Sequence, residues 1–308
     1  MDVRQYLVEE VALDHADGLL SRREALRRLA QLGLGAGAAG ALLAAAPEGA
    51  SARAVRAASA PAQGGESAAA AAAPAARDIT FAGPGGRRLL GAFAAARSPK
   101  GSILVVHENR GLTPHIRSVA SRLAASGYSA LAIDLLSEEG GTRAVGDEAR
   151  IMAALAAAPR ARFRADMRAG LAELGRRVPG KRSAAIGFCF GGGQVWNLIA
   201  SGDRRLAAAI PFYGPAPDPA DFSRSRAAVL AIYAGLDTRV NASRPRAAAA
   251  LRKAGLTHRV RTFPGAEHAF FNSTGPRYNP RAARQAYAAV LDWLKAYVDL
   301  PAGRSPIQ

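Results

Sequence analysis

The chain has 308 residues, of which 49% are hydrophobic and 21% charged. That balance supplies a core and excludes disorder throughout, while a single cysteine excludes an internal disulfide framework and any cysteine-cluster metal site. The formal charge of +17 raises nucleic acid as a partner class. The excess resides in residues 79–308, with 33 basic against 15 acidic residues, and nearly all of it is arginine. Those arginines are scattered and aromatics make up only 6%, whereas a nucleic-acid groove interleaves basic and aromatic residues on one face. No nucleic-acid partner is therefore expected. Attraction to anionic small molecules is the better reading of the charge.

In chain order, residues 1–20 form an amphipathic preface. Ser21-Arg22-Arg23-Glu24-Ala25-Leu26-Arg27-Arg28 follows, then a weakly apolar stretch from Leu29 to Ala46, then A-x-A-type sites within Ala50–Ala54. Basic region, apolar region and small-residue site in that order make a secretory signal. The Arg22-Arg23 pair is similar to the twin-arginine export motif, with Ala25 where Phe is usual and Arg27 where Lys is usual. Export, to a periplasm, is the expectation; the competing reading is an Ala-rich surface helix with a basic start, on a cytoplasmic protein. Gly35-Ala36-Gly37-Ala38-Ala39-Gly40 spells G-x-G-x-x-G, but no β-branched run precedes it, so it is not read as a dinucleotide site. Residues 55–77 are an Ala/Pro/Gly-rich tether. The division is thus a preface and signal over 1–54, a linker over 55–77 and one folded domain over 78–302.

From Asp78 onward strand and helix patterns alternate. Ile79–Phe81 and Arg87–Ala95 read as a hairpin around Gly83-Pro84-Gly85-Gly86. Ser102–Val106 is a continuous apolar, β-branched run of the kind buried in parallel sheets. Helices are predicted over 115–127, 147–177 with a break near Pro159, 191–200, 245–254 and 281–298. Further strands are predicted over 129–136, 184–188, 206–213, 227–234 and 258–263. Such alternation specifies an α/β fold, a mostly parallel sheet with helices on both faces.

In such sheets chemistry sits at the carboxyl ends of strands. His107-Glu108-Asn109-Arg110-Gly111, Cys189, Gly235-Leu236-Asp237 and Pro264-Gly265-Ala266-Glu267-His268 fall at those ends. Cys189 lies in Gly187-Phe188-Cys189-Phe190-Gly191-Gly192, a G-x-C-x-G between strand and helix. This is the context of a nucleophile elbow. The turn strains the central residue, demands small neighbours, and holds the sulfur at a helix N-terminus, where the dipole favours an anion. The N–H of Phe190 then points at a substrate oxyanion. Asp237 and His268 follow in the order nucleophile, acid, histidine, which suits a Cys–His–Asp triad. A redox-responsive thiol protein, or a basic binding protein with a relict triad, are the competing readings. His107 and His115 are read as structural. No H-E-x-x-H or other zinc spacing appears, so no metal is expected.

The elbow G-F-C-F-G-G, the segment V-V-H-E-N-R-G-L-T-P-H-I, the stretch A-G-L-D-T-R-V and P-G-A-E-H-A-F together resemble the dienelactone hydrolase family, carboxymethylenebutenolidase-like enzymes of the α/β-hydrolase fold. The resemblance spans about residues 79–298 and is strongest to exported members with a similar preface. It implies an ester or lactone hydrolase that works without a cofactor through a thioester on Cys189, with His268 as general base and acid and Asp237 orienting it. It further implies that Glu108 pairs with the thiol, and that the N–H of Asn109 joins that of Phe190 in the oxyanion hole. Founding members carry an Arg shortly after the histidine to hold a substrate carboxylate. Asn272 stands in that region here, so Arg110 and Arg277 are the candidates for that anion.

Overall fold

A computed structural model describes residues 2–45 and 73–299 of the chain. The small-residue site at Ala50–Ala54, residues 55–72 of the expected tether and the expected domain end at 300–302 lie outside the described residues. An eight-stranded sheet forms the centre: β1 (Arg77–Ala82), β2 (Arg88–Ala94), β3 (Gly101–Val106), β4 (Tyr128–Asp134), β5 (Ser183–Phe188), β6 (Leu206–Phe212), β7 (Ala228–Ala234) and β8 (His258–Phe263). Their spatial order is β1-β2-β4-β3-β5-β6-β7-β8. The hairpin β1–β2 is antiparallel and joins β4 antiparallel; every other pairing is parallel. The expected α/β-hydrolase architecture is what the chain adopts.

Burial follows position in the sheet. β3, β4, β5 and β7 are buried at every residue, as strands covered on both faces must be. The edge strand β8 alternates, and His258, Arg259 and Arg261 keep its outer edge charged or polar. Three of the helices around the sheet start on side-chain caps. Thr113 caps Pro114–Ala125, Asp147 caps Glu148–Ala157 and Asn279 caps Pro280–Tyr297. The long helical region does break near Pro159, with Arg160–Arg177 beginning after it.

The preface is also folded. It forms α1 (Val3–Ala16), α2 (Arg22–Gln31) and α3 (Ala36–Ala45), and all three share the buried apolar core. Asp2 caps α1 by accepting from Arg4 N at 2.8 Å, and Gly18, at φ +75°, stops it in the left-handed region. The G-x-G-x-x-G run falls largely inside α3, preceded by a helix rather than a strand, as its rejection requires. Arg27 and Arg28 of α2 tie to Asp147 (3.1 Å) and Glu148 (2.9 Å) of the domain, whereas Arg22 and Arg23 stay exposed. Among the described residues, no helix is long and apolar enough to cross a membrane.

Candidate active site

The carboxyl ends of β3, β5, β7 and β8 meet at one edge of the sheet, beside the point where strand order reverses between β3 and β5. Cys189 is the turn between β5 and the helix Phe190–Ala200, at φ 57° and ψ −119°. A positive φ at a residue with a Cβ is strained. It persists because the flanking glycines let strand and helix close in. A Cβ on Gly187 would sit 2.2 Å from the carbonyl oxygen of Gly191, and one on Gly192 would sit 2.3 Å from that of Phe212. Phe190 opens the helix, so its N–H has no intrahelical acceptor. Asn109, buried, lines the same cavity as Cys189.

Asp237 and His268 come together from separate strand ends. His268 Nδ1 bonds to Asp237 Oδ2 at 2.5 Å, and Asp237 also accepts from Val240 N at 3.0 Å. The His268 ring packs against Tyr213, with centroids 5.2 Å apart. Burial alone would push its imidazole down, but the carboxylates of Glu10 and Asp237 and the Cys189 sulfur raise it well above the ordinary histidine value. The sulfur, a His268 ring nitrogen and a Glu10 carboxylate oxygen all lie within 4.8 Å of one another. Among the described residues this is the one group of three such side chains close enough to hold a metal ion. The spacing-based expectation of no metal had no access to it, because Glu10 lies 179 positions before Cys189.

Glu108 departs from what the resemblance implies. Its Oε2 accepts from Asn272 Nδ2 at 2.7 Å instead of pairing with the thiol, and its Oε1 is buried without a hydrogen-bond partner. Burial pushes its carboxyl up to about 7, against the lowering effect of Asn272. Thus Asn272, four residues after His268, is spent on a protein carboxylate. His107 is structural as expected: Nε2 accepts from Leu135 N at 3.1 Å, which leaves Nδ1–H to donate to the Glu108 carbonyl at 2.6 Å. His115 is buried away from these groups, against Phe271.

The two candidate anion-binding arginines differ sharply. Arg110 is exposed and stands 3.6 Å from Glu148. Arg277 is buried and already holds carboxylates, bonding to Asp14 Oδ1 at 2.9 Å and to Asp17 through Nε at 3.1 Å. Both acids belong to α1 and its C-terminal end. From the same helix Tyr6 Oη lies 3.0 Å from Cys189 Sγ, and Glu10 Oε1 lies 3.5 Å from His268 Nε2. Glu10 also pairs with Arg239, whose guanidinium lies over the Tyr6 ring at 4.5 Å. Tyr6, Glu10, Asp14 and Arg239 were not among the sequence candidates. The available signal was the four-residue spacing of Tyr6, Glu10 and Asp14, which places them on one helical stripe.

A sequence profile of the dienelactone hydrolase family matches residues 90–298. A Saccharolobus solfataricus protein named "Putative carboxymethylenebutenolidase" is 28% identical over 245 residues, covering 68% of this chain and 95% of its own. A Methylorubrum extorquens protein of the same name is 31% identical over 222 residues, covering 67% and 75%. Among solved structures, the "Putative Dienelactone Hydrolase" of Klebsiella pneumoniae aligns at a TM-score of 0.64 with 26% identity, covering 71% of this chain and 98% of that one. With the profile match spanning most of the folded domain, the chain belongs to the dienelactone hydrolase family.

Proposed function

We propose that this ester- or lactone-cleaving hydrolase works through a thioester on Cys189, with His268 and Asp237 completing the triad. The observation that carries the reading is the positive-φ elbow at Cys189, set within 4.8 Å of a His268 whose other nitrogen is fixed by Asp237. His268 takes the thiol proton and the sulfur attacks the substrate carbonyl. The N–H groups of Phe190 and Asn109 face the oxyanion. The C–O bond to the leaving alcohol breaks, and His268 returns the proton to that oxygen. Water then gives a proton to His268, attacks the thioester carbon and releases the carboxylic acid and the thiolate.

Glu108, held near 7 by burial, is a group that changes charge at neutral pH beside the reacting sulfur. Arg277 supports an anionic substrate, since it already accommodates two carboxylates. The test is the mass of the protein after mixing with p-nitrophenyl acetate. One acetyl group on Cys189, absent from Cys189→Ala together with turnover, is expected; equal turnover by both proteins overturns the reading.

The exposed Arg22-Arg23 pair supports export by a twin-arginine route. The N-terminus of protein recovered from a periplasmic fraction tests it. A start near residue 54 is expected, and Met1 retained on exported protein overturns it.

A further inference from the structure

We propose that the cleft above Cys189 is a docking groove for an acidic helix, and that residues 3–17 of this chain occupy it in cis and hold the enzyme closed. The proposal rests on Cys189 as nucleophile. It adds an occupant for the site and a reason for the preface.

The buried stripe of α1 runs Val3, Tyr6, Leu7, Glu10, Val11 and Asp14. Such i, i+3, i+4, i+7 spacing marks a face that packs on a partner, but two of these six residues are acids. A buried carboxylate is tolerated only when it is paired, and each one here meets a group of the cleft. Glu10 faces His268 Nε2 and pairs with Arg239; Asp14, with Asp17 just beyond the helix, holds Arg277. Tyr6, fully buried, covers the sulfur. The stripe therefore encodes the chemistry of the active-site wall. Charge agrees: residues 1–20 contain five acids and one arginine, against a domain with a net +18.

Two further observations separate a plug from a contributor to catalysis. The cavity left beside Cys189 measures about 50 Å³, whereas clefts that take small ligands usually measure roughly 300–1,000 Å³. A substrate ester cannot enter until α1 leaves. Second, α1 lies outside the stretch shared with the family, residues 90–298, which carries Cys189, Asp237, His268 and Glu108. With α1 seated, Tyr6 Oη stands 3.0 Å from the Cys189 sulfur and Glu10 Oε1 stands 3.5 Å from His268 Nε2, so side chains of α1 face both groups that a substrate must reach. Cleavage within Ala50–Ala54 would sever the link between plug and domain.

The experiment compares the full chain with its Asp14→Arg/Asp17→Arg variant. It follows alkylation of Cys189, the only cysteine, by iodoacetamide, and in parallel p-nitrophenyl acetate hydrolysis. Losing both carboxylates at Arg277 should speed alkylation by about tenfold or more, and a synthetic peptide of residues 1–20 should slow it again in a saturable way. Equal alkylation rates overturn the proposal. So does fast alkylation that the peptide cannot slow, which indicates general unfolding. Hydrolysis should rise with alkylation; a fall instead means that α1 supplies catalytic groups and also overturns it. Peptide-reversible alkylation with no hydrolysis by any form leaves the docking standing and sinks the ester reading alone.

Discussion

The sheet and the helix Val3–Ala16 both bury an inward face, yet what they bury differs. Strands β3, β4, β5 and β7 bury almost wholly apolar runs, so their stability comes mainly from surface removed from water rather than from paired charges. The helix buries Tyr6, Glu10 and Asp14 among its apolar residues, and each needs a particular group across the cleft. The first kind of burial specifies a fold. The second specifies a lock, in which breaking one pair leaves an unpaired buried charge.

The sharpest way to break this contrast from the domain side is Asp237→Asn. The amide keeps the volume and costs the sheet little. It cannot hold His268 Nδ1–H as the carboxylate does, so ester hydrolysis should fall by about 10³–10⁴-fold. Initial rates with p-nitrophenyl acetate check this, measured on Asp14→Arg/Asp17→Arg as background. A loss under tenfold would mean that Asp237 only caps the turn at Thr238–Asn241.

A smaller effect sharpens the border between the two regions, where Glu108 lines the cavity shared by Glu10, Asp14 and Cys189. Its folded carboxyl sits at about 7, above the ordinary 4.5. The native state therefore binds this proton more tightly than the unfolded chain does. Stability is highest below the unfolded value and falls as pH rises through the window from 4.5 to 7. Glu108→Gln removes that fall. Denaturant melts should show the variant close to the parent at pH 4 and more stable by about 2–3 kcal/mol at pH 8. A pH-independent difference would contradict the burial of the Glu108 carboxyl.

Much of the domain was legible because its signals are local. The run Ser102–Val106 predicts β3 to within one residue, and Pro159 predicts the break between Glu148–Ala157 and Arg160–Arg177. The order Cys189, Asp237, His268 was legible because strand ends in a parallel sheet converge whatever their sequence separation. The Glu108–Asn272 bond was not, since 164 residues separate two ordinary polar side chains. Nor was the docking of α1. A basic pair before an apolar Ala/Gly/Leu stretch reads as a leader, and nothing near Tyr6 in the sequence points to a sulfur 183 positions away. The charge arithmetic held the clue in another form, as an acidic preface on a basic domain.

In the proposed mechanism, Cys189 is acylated by an ester and then released by water. The most direct measurement follows the mass of the Asp14→Arg/Asp17→Arg chain in the first seconds after mixing with p-nitrophenyl acetate. One acetyl group should appear on the peptide containing Cys189 and decay as acetate forms, and a further His268→Ala change should slow both steps. Acetate formation with no modified Cys189, or unchanged turnover after Cys189→Ala, would contradict the account.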